Sequence, residues 1–126
     1  MMSWDMEKQL YYYFAKILKV IDADTVELDV DCGFDIWLKK SARLARINAY
    51  EIKLGTNTTI EQKKAGLQGK EYVVKLLEGK KVIIKSVLDK EKYGRILVEI
   101  FYLEDNNWIN LNDELVRLNF AIYQNY

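Results

Sequence analysis

Four short stretches of this chain carry residue types that could handle a phosphate. In "DADT", residues 22–25, Asp22 and Asp24 lie two apart after an apolar run. Such a pair is either a hard-cation site or a turn in which Asp bonds its own backbone. "ARLARINAYE", residues 42–51, then sets Arg43 eight residues before Glu51, with Asn48 between them. Arg43 falls in a stretch that reads as half-buried strand, so its guanidinium needs a partner. That partner is a structural carboxylate or a bound phosphate, and the rigid fork suits the latter. Arg46 reads as solvated or paired with a surface acid. Glu51 stands where strand gives way to loop, a common place for functional residues, although a lone Glu there is ordinarily just solvated. "KYGR", residues 92–95, delivers Arg95 to a strand start through a Gly turn, with Lys92 and Tyr93 just before it. Alone, that is a hairpin turn with exposed charges. Together, the parts make a histidine-free way to cleave a phosphodiester. A cation on carboxylate and amide oxygens polarises the phosphoryl group, a glutamate takes a proton from water, and two arginines clamp the phosphate.

Composition narrows the alternatives. The chain has 126 residues, half of them hydrophobic and 30% charged, which is one domain's worth of ordinary globular sequence. It has no histidine and one cysteine. This excludes Ser-His-Asp and Cys-His catalysis, His-ligated zinc, zinc fingers and internal disulfides. Cys32 reads as a buried core thiol. Formal net charge is zero, which argues against a wide electrostatic grip on duplex DNA but not against a few arginines in one cleft. The N-terminal "MMSWDMEKQL" lacks a basic head and apolar run, and no stretch approaches a membrane span. A cytoplasmic protein with no membrane partner is expected.

Something must position those four stretches. "YYYFAKILKV" (11–20) reads as a strand. "TVELDVDC" alternates, with Val26, Leu28, Val30 and Cys32 on one side and Glu27, Asp29 and Asp31 on the other. Gly33 turns the chain, and residues 34–47 read as a return strand. After the loop "LGTNTTIEQKK", capping boxes at Thr58–Glu61 or Thr59–Gln62 start a helix. Its face is Ala65, Tyr72, Val73, Leu76 and Leu77; Gly66 and Gly69 mark close packing on the sheet, and Gly79 is its stop. "KVIIKSVL" and "RILVEIFYL" are two more strands, "EDNN" turns into a short segment at Trp108, and "NLNDELVRLNF" is a short final helix. The pattern predicts one α+β domain over residues 1–126, mainly β, with residues 1–10 a flexible extension. Its centre is a small five-stranded barrel such as an OB-fold, with one long and one short helix.

The stretches "VIDADTVEL", "ARLARINAYE", "KYGRILVEI" and "NLNDELVRLNFA" come in an order and at a spacing that resemble the staphylococcal nuclease (thermonuclease-like) family, over roughly residues 12–123. The resemblance implies a five-stranded OB barrel and Ca2+-dependent hydrolysis of DNA and RNA at the 5′ P–O bond, leaving 3′-phosphate ends. By position it makes Asp24 a calcium ligand with Asp22 close by, and Arg43 and Arg95 the phosphate clamps. Glu51 becomes the base or the residue that positions the attacking water. Asn48 falls where the best-known members have a second calcium-binding Asp, and Ala49 would offer its backbone carbonyl. Lys92 and Tyr93 would contact the substrate nucleotide.

This chain departs from that pattern at Asn48, which brings an oxygen without a charge and so implies weaker calcium binding. It departs again at Tyr50, which replaces the usual proline before the glutamate. The sequence given ends before the family's further C-terminal helix, leaving Tyr123 or Tyr126 to wall the base. The expectation is a monomeric calcium-dependent nuclease acting on single-stranded or frayed DNA or RNA. The rival is a catalytically weak or inactive OB-fold module binding single strands by stacking. A protein-interaction domain on the same fold is a third option.

Overall fold

Alternation of apolar and polar residues from Tyr12 onward builds the first strand of the barrel, β1 (Tyr12–Asp22), with Ala15, Ile17 and Val20 buried and Tyr12, Phe14 and Lys16 outward. The computed structural model of the chain describes residues 6–50, 60–90 and 94–124. Register shifts between Ile17 and Lys19, and between Val20 and Asp22, bend β1, as bulges do. The first of them is why Val20 rather than Lys19 continues the inward row. β2 (Thr25–Asp31) runs back antiparallel and buries Val26, Leu28 and Val30. The remaining elements are β3 (Trp37–Leu44), β4 (Ile47–Ala49), α1 (Ile60–Leu77), β5 (Lys81–Lys90), β6 (Ile96–Glu104), β7 (Asn107–Asn110), α2 (Leu111–Arg117) and β8 (Ala121–Tyr123).

The main sheet has the order β3-β2-β1-β5-β6-β7, and β3 also pairs in parallel with β6. That last pairing, Ala42–Leu44 beside Ile96–Val98, closes β1, β2, β3, β5 and β6 into a five-stranded mixed barrel. The second half of β6 gives the same edge to β7. The fold is the expected α+β, SNase-like OB barrel, with a long and a short helix. Two features go beyond that expectation. β7 forms at Trp108, and β4 and β8 pair as a separate two-stranded ladder.

The predicted return strand over 34–47 is interrupted at both ends. Phe34 and Asp35 both take positive φ, 56° and 61°, and the Ile36 N–H donates to Gly33 O. This is a tight primed turn that matches strand twist, so β3 starts only at Trp37. At the far end Arg46, with φ 68°, separates β3 from β4. Cys32 is half-buried at the edge of the core rather than inside it, and its thiol donates to Val30 O at 3.6 Å.

α1 packs through Gly66, Gly69, Val73 and Leu77, with Tyr72 and Leu76 half-buried beside them. A Cβ at Gly69 would stand 3.0 Å from the Cβ of Phe120 and 3.3 Å from that of Ala23. The glycine is therefore the point of closest approach, as the sequence suggests. Gly79, at φ 80°, ends the helix and donates its N–H to Ile17 O at 2.8 Å. The proposed capping boxes at Thr58 and Thr59 lie outside the described residues. No helix among the described residues is long and apolar enough to cross a membrane.

Candidate active site

Asp24 occupies the two-residue turn between β1 and β2 and is 7% exposed. One carboxylate oxygen, Oδ2, accepts the Ala49 N–H at 2.8 Å and pairs with Arg43 Nη1 at 3.0 Å. The other accepts the Thr25 hydroxyl at 3.1 Å. Arg43 stands opposite Thr25 in the β2–β3 ladder and is 8% exposed. Its Nη1 also donates to Leu44 O at 3.2 Å, and its Nη2 to Asn48 Oδ1 at 3.0 Å. The buried guanidinium thus has a carboxylate partner and an amide partner, which is what makes its burial tolerable. Arg95 enters just after Gly94, whose φ is 81°, and its Nη1 reaches the Thr25 hydroxyl at 3.5 Å.

These groups face one cavity of about 400 Å³, lined by Asp22, Asp24, Arg43, Asn48, Ala49 and Arg95. Six of the nine residues singled out from the sequence are therefore brought together. Glu51, Lys92 and Tyr93 lie outside the described residues. Sequence reasoning missed two further lining groups, Thr25 and Lys70. Lys70 follows Gly69, which the sequence marks as a point of close packing, but only the structure seats that glycine against Ala23 and so turns its neighbour to the cavity. Tyr50 also lines the cavity. Although it replaces a proline, its backbone is tied down, since its N–H donates to Phe120 O at 3.3 Å. The β4–β8 ladder that precedes it holds Asn48 and Ala49 opposite Ile122 and Ala121.

The two carboxylates feel each other. Burial first, and the Asp24 charge second, hold the Asp22 carboxyl above its ordinary value, while Lys70, Arg43 and Arg95 oppose the rise. Among the described lining residues three cationic groups (Arg43, Arg95 and Lys70) meet two carboxylates. Among the described residues no three His, Cys, Asp or Glu side chains form a metal cluster. The donors that do face the cavity from Asp22, Asp24 and Asn48 are all oxygens, which suits a hard cation.

Arg46 behaves as expected of a residue paired with a surface acid. It forks onto Glu99 at 2.6 and 2.9 Å and reaches Asp113 at 3.0 Å. That network, with a fully buried Asn112, fixes the turn leading to Asn48. Asn112 Nδ2 donates to Ala45 O at 2.9 Å and Val98 O at 3.1 Å, and its Oδ1 accepts the Ile100 N–H at 3.2 Å.

A barrel mouth that gathers two aspartates and two arginines around one polar cavity can hold an anionic group, a hard cation or both. A sequence profile of the staphylococcal nuclease homologue family matches residues 41–126, and the chain belongs to that family. The match takes in Arg43, Asn48 and Arg95 and begins after the Asp22–Asp24 turn. An uncharacterized protein of Methanocaldococcus jannaschii is 34% identical over 123 residues, a match that takes in 87% of this chain and 58% of that protein. The chain thus spans under two thirds of that relative's length.

Proposed function

We propose that this chain is a calcium-dependent phosphodiesterase that hydrolyses DNA or RNA at the 5′ P–O bond and leaves 3′-phosphate ends. The observation that supports this most is the convergence of Arg43 and Arg95 with Asp22 and Asp24 on one cavity. Asp24 and Asn48 hold the Arg43 fork in one orientation before substrate arrives, so little reorganisation remains when charge builds on the phosphate. Arg95 meets the same phosphate from the β6 side. Glu51, next in sequence after the cavity-lining Tyr50, is the proposed base or water-positioning group. Lys92 and Tyr93 are the proposed nucleotide contacts. Asp22 and Asp24, with the Asn48 amide and Ala49 carbonyl oxygens, are the groups that would hold calcium. When bound, calcium supplies Lewis-acid polarisation of the phosphate and a more acidic water. Single strands as substrate, a monomeric state and a cytoplasmic location complete the proposal.

One observation favours the binding-module reading. The Asn48 amide oxygen is given to Arg43, and Arg43 is given to Asp24, so the site is self-satisfied by ion pairing. Hydrolysis of a labelled single-stranded oligonucleotide, with calcium or with chelator, separates the two. Calcium-dependent cleavage to 3′-phosphate ends, lost in Glu51→Gln, supports the nuclease. Salt-sensitive binding without product in excess calcium supports the module.

A further inference from the structure

The outer face of the sheet presents a feature that the cavity does not use. Phe14 pairs with Ile83, and Ile83 with Phe101, in a single row across β1, β5 and β6. Tyr12 lies diagonal to that row, its ring centroid 6.1 Å from that of Phe101. Phe14 is 44% exposed and Tyr12 38%, and neighbouring exposed rings in one strip, unlike a lone exposed ring, mark an interaction surface. Lysines flank the strip on both sides. Lys16 and Lys81 are paired in the next row and Tyr12 stands opposite Lys85. The Lys81 ammonium sits 4.1 Å over the Phe14 ring and that of Lys85 5.5 Å over the Tyr12 ring. The nearby acids are partly neutralised. Glu99, in register with Lys85, is bound to Arg46 and Asn110, while Asp29 is in register with Lys16.

We propose that this face is a second nucleic-acid site, on which the bases of a single strand stack on Phe14 and Tyr12 while Lys16, Lys81 and Lys85 take its phosphates. The chemistry selects that occupant. Ring faces with interleaved cations match a strand whose bases and phosphates alternate. A protein partner would favour the same rings but not the lysines, which are depleted in interface cores. Each lysine covers a ring face that a base would take, and its flexible stem lets it move to a phosphate as the base arrives. Phe14 lies eight residues before Asp22 on β1, about 25 Å along the strand. A ligand that fills only the cavity cannot reach it, whereas a longer strand can use both. The identity of the occupant rests on the proposed function; the existence of the face does not.

The test is fluorescence anisotropy of the full chain in chelator, with a labelled dinucleotide and a labelled single strand of about 16 nucleotides. Phe14→Ala is expected to weaken the long strand about fivefold or more and leave the dinucleotide unchanged. Lys81→Gln is expected to lower the salt slope for the long strand by about 0.7. Both positions are exposed, and equal thermal melting confirms that the variants fold. Arg43→Lys, which keeps a cation beside the buried Asp24 but loses the two-point fork, separates the two sites. Weakened dinucleotide binding in chelator and slowed cleavage in a parallel assay with calcium, with Phe14-dependent binding of the long strand retained, support the face on its own. Unchanged long-strand affinity and salt slope in both Phe14→Ala and Lys81→Gln would overturn the proposal. So would a concentration-dependent dimer that Phe14→Ala abolishes, because it assigns the face to a second copy of the chain.

Discussion

At Arg43 one side chain joins the fold to the chemistry. Its guanidinium bridges the β1–β2 turn, through Asp24, to β4, through Asn48, and the same fork faces the cavity. Arg43→Ala therefore confounds two effects, since it also strands a buried Asp24 carboxylate at about 3 kcal/mol. Arg43→Lys is the cleaner change. It keeps a cation beside Asp24 but loses the planar two-point contact, and turnover is expected to fall about 100-fold with little change in melting temperature. Steady-state kinetics and thermal unfolding together check this. Asn48→Asp tests the other partner. If residue 48 helps to hold calcium, the added charge should raise calcium affinity about tenfold, read by titration calorimetry. Unchanged affinity would mean that residue 48 serves Arg43 alone. Arg43 was legible in the sequence because a guanidinium in a half-apolar strand demands a partner, whereas Asp22 and Asp24 read equally as a turn, and Asn48 and Ala49 stood out only through the family resemblance. Which partner each one takes was not legible, since Asn48 as an arginine acceptor and Asn48 as a metal ligand read identically.

Among the elements, α1 is the one whose placement bears most directly on the site. Gly69 lets it approach Ala23, the residue beside Asp24, and brings Lys70 to the cavity. Gly69→Ala would improve helix propensity by up to ~1 kcal/mol. Its Cβ, however, would press on the Cβ atoms of Phe120 and Ala23, which cannot swing aside as a flexible side-chain tip would. Overpacking of this kind costs about 1–3 kcal/mol, so a net loss of about 1 kcal/mol is expected in denaturant unfolding, and activity should fall with it as the Asp24 turn is pushed. Lys70→Gln should leave stability nearly unchanged and weaken phosphate binding several-fold, because Gln is close to Lys in length and helix propensity while one cation leaves the cavity. The barrel strands were legible from period-two alternation, as in Val26, Leu28 and Val30. The β4–β8 ladder was not, because three-residue strands carry too short a pattern, and Ile47, Asn48 and Ala49 look like the tail of β3. What divides them is the positive φ of Arg46, and nothing in an isolated arginine announces it.

For the whole molecule, zero net charge hides an organised distribution. Cations gather at the cavity and along the outer aromatic strip, while Glu99 and Asp113 are spent on closing the barrel. Arg46, Glu99, Asn110 and Asp113 join the β3–β4 turn to β6 and α2, and the buried Asn112 does the same job beneath them. Asn112→Ala would leave the Ile100 N–H and Ala45 C=O buried without that partner, at about 3 kcal/mol. The Glu99 contribution is smaller and depends on pH. Burial works to raise the Glu99 carboxyl, but hydrogen bonds from Arg46 and Asn110 outweigh it and hold it below its ordinary value. A carboxyl depressed in the folded state stabilises the fold above its unfolded value, and that stabilisation is lost as pH falls through the folded one. The pair is half-exposed, so solvent screening limits it to about 1 kcal/mol despite its two-point geometry. Glu99→Gln should therefore unfold at lower denaturant than the parent at neutral pH. The gap should close as pH drops through and below the ordinary carboxylate range, where the parent's Glu99 is also uncharged. A gap that persisted at low pH would mean that Glu99 acts through packing alone, and that closure of the barrel at this corner does not depend on its charge.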